Sequence, residues 1–164
     1  MASVACEVEL RCRGDLAAER MVSPEGLRCL PGLLPGPDEP LALAEHEFEL
    51  PYLGTRRQST ELRTEHSAVD GCRQALVSGR GPLISYTVRW ILGDGPGSLT
   101  FEYDVSDALM TEAMNALRSQ SPLPFRSDAD AILRLAVSEA FEAYFASVLA
   151  EYADAARALL ETPA

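Results

Sequence analysis

Residues 127–164 contain no glycine, and no proline before Pro163; this unbroken stretch constrains the fold more than any other part of the chain. Its larger apolar residues fall at Leu133, Val137, Phe141, Tyr144, Val148 and Tyr152 and, after Ala155, at Leu159. Steps of three and four keep such residues on one stripe of an α-helix. Ser127 with Asp130 three residues on resembles a capping box, and Asp128 and Asp130 sit where the helix dipole favours negative charge. An amphipathic helix over residues 127–162 is expected. At about 1.5 Å per residue it reaches roughly 50 Å, beyond the roughly 30 Å of a small domain. It must therefore cross a whole sheet, lie on a partner, or both. The apolar spacing is nearer that of a straight helix than the roughly 3.5 residues of a left-handed coiled coil, which favours a sheet as the support.

The sheet is written upstream. Val4 to Cys12 alternates, with Val4, Cys6, Val8, Leu10 and Cys12 opposite Glu7, Glu9 and Arg11, the pattern of a half-buried strand. Asp15 to Met21 and Pro24 to Leu34 are expected to make short helical turns capped by Asp15 and Ser23. Residues 31–40 are rich in proline and glycine and form a connection within one domain rather than regular structure. Glu45 to Tyr52 alternates again, with His46, Phe48, Leu50 and Tyr52 on one face, and Pro51 restricts it to an edge or a strand end. Strands at Thr60 to Val69 and Cys72 to Ser78 flank Asp70-Gly71, a dipeptide typical of two-residue hairpin turns. Leu83 to Leu92 and Leu99 to Val105 flank the glycine-rich segment Gly93 to Ser98 and form the clearest hairpin. Ser106 then caps a helix carrying Leu109, Met110, Ala113, Met114 and Leu117 on one side, ended by Pro122 and Pro124.

Strands grouped before helices indicate an α+β fold: a curved antiparallel sheet of about five to six strands, packed by the long C-terminal helix, as a single domain over residues 1–164. The length of 164 residues suits one core. This order of elements resembles that of helix-grip proteins, which wrap a sheet around a long C-terminal helix, and of small acidic secretion chaperones. No residue motif accompanies either resemblance, so it bears on fold alone.

Composition narrows function by exclusion. The net charge of −11, from 25 acids against 14 bases, opposes a nucleic-acid backbone, and no arginine cluster offsets it. Every basic residue is arginine, alanine is abundant and isoleucine scarce. Such usage is that of a GC-rich bacterial genome; selection against lysine modification would read the same way. Neither a transmembrane run nor a signal peptide is written, since Glu7 and Glu9 stand where basic residues would be needed. A cytoplasmic protein is expected. Cys6, Cys12, Cys29 and Cys72 have no CxxC pairing or zinc-type spacing and read as reduced thiols.

Catalytic patterns are also missing. Gly93 to Ser98 joins strand to strand, whereas a phosphate loop needs a helix N-terminus behind it and usually a lysine. There is no GxSxG or HExxH. His46 and His66 are the only histidines, too few ligands for zinc without a cysteine pair. No metal, cofactor or catalytic residue is assigned, and an enzyme is not the leading expectation.

The leading expectation is a non-catalytic protein-binding module, of adaptor, chaperone or immunity type, that uses a sheet edge and the C-terminal helix to hold a protein partner or a second copy of itself. Tyr152, Leu159 and Leu160, taken to lie beyond the supporting sheet, are the candidate partner-binding residues. The alternative is a small-molecule-binding or cyclase-like enzyme of helix-grip type. Tyr52, Tyr86, Trp90, Phe101, Tyr103, Phe141 and Tyr144 would then line an apolar pocket between sheet and helix.

Overall fold

Alternating burial builds six strands, and their inward-facing residues supply about half of the buried apolar core, the helices supplying most of the rest. In a computed structural model that describes all residues except 11–13, 35–42, 94, 121–127 and 162–164, the order is β1 (Ala2–Val8), α1 (Gly14–Met21), α2 (Pro24–Leu27), β2 (Leu43–Leu50), β3 (Gly54–Val69), β4 (Cys72–Arg80), β5 (Ile84–Leu92), β6 (Gly97–Val105), α3 (Asp107–Gln120) and α4 (Ala129–Glu161). The strands form one open antiparallel sheet in the order β1-β6-β5-β4-β3-β2. The fold is α+β, with α4 packed on the sheet. Cys12, residues 35–40 of the proline-rich connection and the Ser127 cap lie outside the described residues.

Local chemistry explains most boundaries. Asp70 (φ 49°) and Gly71 (φ 79°) both adopt the left-handed conformation, the requirement of the tightest two-residue hairpin. Ser23 caps α2 by accepting from the Gly26 amide, and the Ser106 hydroxyl accepts from the Leu109 amide at 3.2 Å, as the sequence predicts for both. β2 stops at Leu50, immediately before Pro51. Tyr52 is accordingly not a fourth inward residue of that strand: it occupies the following turn with φ 68°. β3 begins at Gly54 rather than Thr60. Its early segment Thr55 to Ser59 is polar, and it is a strand because β2 pairs with it, not because of its own alternation.

On the inward face stand Ala44, Phe48 and Leu50 of β2, Leu62 of β3, Ala75 and Val77 of β4, Ile84, Val88 and Trp90 of β5, and Leu99 and Phe101 of β6, all buried. Helix α4 packs on β1 and β6, α1 on β4 and β5, and α3 on α4. At about 1.5 Å per residue the 33 residues of α4 span roughly 50 Å. Its buried stripe is Leu133, Val137, Phe141, Phe145, Leu149, Tyr152, Ala153, Ala156 and Leu160. Tyr144, Val148 and Leu159 flank that stripe half-buried, so past Phe141 the helix turns about one residue away from the phase that the larger side chains predict. Apolar residues occupy both 144 and 145 and both 148 and 149; one step rotates the contact face by about 100°, and the sheet selects Phe145 and Leu149.

Candidate functional site

Polar groups inside an apolar core mark where chemistry could reside, and this core holds several. His46, on the inward face of β2, is 4 % exposed. Its Nε2 lies 2.9 Å from the Pro31 carbonyl oxygen and its Nδ1 3.1 Å from the Tyr86 hydroxyl. A carbonyl only accepts, so Nε2 carries the proton and Nδ1 accepts from Tyr86. Burial lowers the His46 pKa to about 4, the Pro31 hydrogen bond acting weakly in the other direction. The imidazole is therefore neutral with both nitrogens engaged, which leaves none for a metal or for proton transfer.

The Tyr152 hydroxyl is similarly engaged. Trp90 Nε1–H donates to the Tyr152 hydroxyl at 2.8 Å, a bond between the centre of the sheet and the last third of α4. Desolvation raises the pKa of both Tyr86 and Tyr152, so each phenol stays protonated. Around them the rings fill space with one another. His46 stacks on Phe48 at 4.2 Å, Tyr86 on Phe101 at 5.4 Å and Phe101 on Phe145 at 5.4 Å, while Tyr103 lies 4.2 Å from Phe145. Of the residues expected to line a pocket, Tyr86, Trp90, Phe101, Tyr103 and Phe141 are thus gathered in the core, each 5 % exposed or less. Tyr52 and Tyr144 are half-buried and pack against the margin of that core, the Tyr144 ring 5.0 Å from Phe145.

Gln58 is a core residue that sequence reasoning missed. Its Nε2 donates to Thr60 Oγ1 (3.0 Å) and the Ile84 carbonyl (2.8 Å), and its Oε1 accepts from the Leu83 and Ile84 amides (3.0 and 2.9 Å). One side chain thereby stitches β3 to the turn between β4 and β5. Glycine at 81 leaves room for it, because a Cβ there would overlap the Gln58 amide. The available clue was a polar residue in phase with Thr60 and Leu62.

The end of α4 does not project beyond the sheet. Tyr152 is 1 % and Leu160 5 % exposed within the chain itself, and Leu159 is half-buried. Tyr152 and Leu160 are thus buried within the chain, and of the three residues expected to meet a partner only Leu159 keeps appreciable accessible surface. What α4 leaves exposed is the opposite face, with Leu135, Glu139, Ala143, Ala146 and Ala150.

The two sheet edges differ. Along β2, the Leu34 amide donates to the Glu45 carbonyl at 2.9 Å and the Glu47 amide to the Gly32 carbonyl at 2.8 Å. The Glu49 amide donates to the Tyr144 hydroxyl at 3.2 Å. Gly32 (φ 81°) sits so close to Glu47 that no side chain fits there. This edge is occupied. β1, at the other end, has β6 on one side and no further strand among the described residues. From Ala2 to Cys6 it carries neither a charged residue nor a proline.

Among the described residues no three His, Cys, Asp or Glu side chains gather as a metal ion would need, and no helix is long and apolar enough to cross a membrane. A surface depression of about 530 Å³ between α3 and α4 is lined by Met114, Asn115, Arg118, Asp130 and Arg134, away from the aromatic core.

No protein-family model matches this chain, and no curated protein does. It is similar to a crystal structure of a conserved protein from Geobacillus kaustophilus, at 12 % identity, covering 84 % of this chain and 96 % of that one, with a TM-score of 0.39. A likeness at that level says nothing about activity.

Proposed function

We propose that this protein is a non-catalytic protein-binding module, of adaptor, chaperone or immunity type, that works through the open β1 edge of its sheet and the exposed face of α4. The observation that carries this reading is the asymmetry of the edges. A bare strand edge offers a row of unpaired N–H and C=O groups to another chain, and proteins ordinarily blunt it with charge, proline or a covering segment. β2 is covered by Gly32 to Leu34 and by Tyr144; among the described residues no strand pairs with the outer edge of β1, whose one charged residue is the exposed Glu7. Backbone pairing along an exposed strand supplies affinity without a preformed pocket. The packing of the core rings on one another supports the same reading, since the Tyr86 and Tyr152 hydroxyls and both His46 nitrogens bond to partners within the chain.

The test is cross-linking in the native host from a photoreactive residue at position 5, with and without Ala5→Pro. Capture of a partner that Ala5→Pro abolishes while melting is unchanged is the expected result. Capture that ignores the proline would end the reading.

A second reading rests on the convergence of His46, Tyr86 and Tyr152 between the sheet and the helix layer, where a helix-grip protein would hold an apolar ligand with a few polar anchors. Trp90, the only tryptophan, reports on it. A saturable change in its emission on titration with an apolar dye would favour this reading over the first.

A further inference from the structure

We draw no further inference here: the strongest candidate, the depression of about 530 Å³ between α3 and α4 lined by Met114, Asn115, Arg118, Asp130 and Arg134, is a surface cleft in which Asp130 already pairs with Arg118 and nothing among the described residues points to a ligand.

Discussion

The indole N–H of Trp90 donates to the Tyr152 hydroxyl across 62 residues of chain, and neither residue is more than 1 % exposed. Removing only the acceptor leaves a buried donor stranded. Tyr152→Phe should cost about 1–3 kcal/mol, and the Trp90→Phe, Tyr152→Phe double variant should lose less than the sum of the singles. Urea denaturation of the four proteins measures this, and strict additivity would mean that the bond contributes nothing.

His46 makes stability depend on pH. Its folded-state pKa is lowered to about 4 from 6.5, so below pH 6.5 the unfolded chain takes up a proton that the native state refuses. The stabilisation is fully present above pH 6.5, falls as pH drops toward 4 and then levels off. Its upper limit is about 3 kcal/mol, at roughly 1.36 kcal/mol per pKa unit. Unfolding free energies measured from pH 7.5 to 4 should lose this component in His46→Gln; an unchanged profile would show that other groups set the acid response.

The phase of α4 separates neighbouring residues. Leu149 is 2 % exposed and Val148 half-buried. Leu149→Ala should cost about 2–5 kcal/mol, and Val148→Ala should cost less than half of whatever Leu149→Ala loses. Equal losses in thermal or denaturant unfolding would place the helix in the register that the larger side chains suggest.

Gln58 holds the Leu83 and Ile84 amides at 3.0 and 2.9 Å. Gln58→Leu strands both, at about 1–3 kcal/mol for each buried group left unpaired. Hydrogen exchange should show protection at Leu83 and Ile84 falling well before that of the β5–β6 ladder. Retained protection at these two amides would show that they have another acceptor.

The described elements that were legible in the sequence are those set by neighbouring residues. The hairpin of β5 and β6 follows from alternation, the Asp70-Gly71 turn from two left-handed conformations, and the starts of α2 and α3 from the Ser23 and Ser106 caps. The inward facing of His46, Phe48 and Leu50 follows from the two-residue period of a strand. The gathering of Tyr86, Trp90, Phe101, Tyr103 and Phe141 was legible as a set of residues but not as an arrangement.

Only the tertiary structure decided the rest, because it depends on contacts between residues far apart in the chain. The polar start of β3 is a strand because β2 lies beside it. Whether α4 buries residues 144 and 148 or 145 and 149 was open, since the sequence offers apolar side chains at both and the facing strands make the choice. Tyr152 and Leu160 near the end of α4 are buried within the chain, a matter of the direction in which the helix lies that periodicity does not encode. The bonds from His46 to Tyr86 and Pro31, and the difference between a covered β2 edge and a β1 edge that no further strand among the described residues pairs with, exist only once the strands have taken their order. Side-chain period is a property of a segment, whereas its partners are a property of the closed sheet.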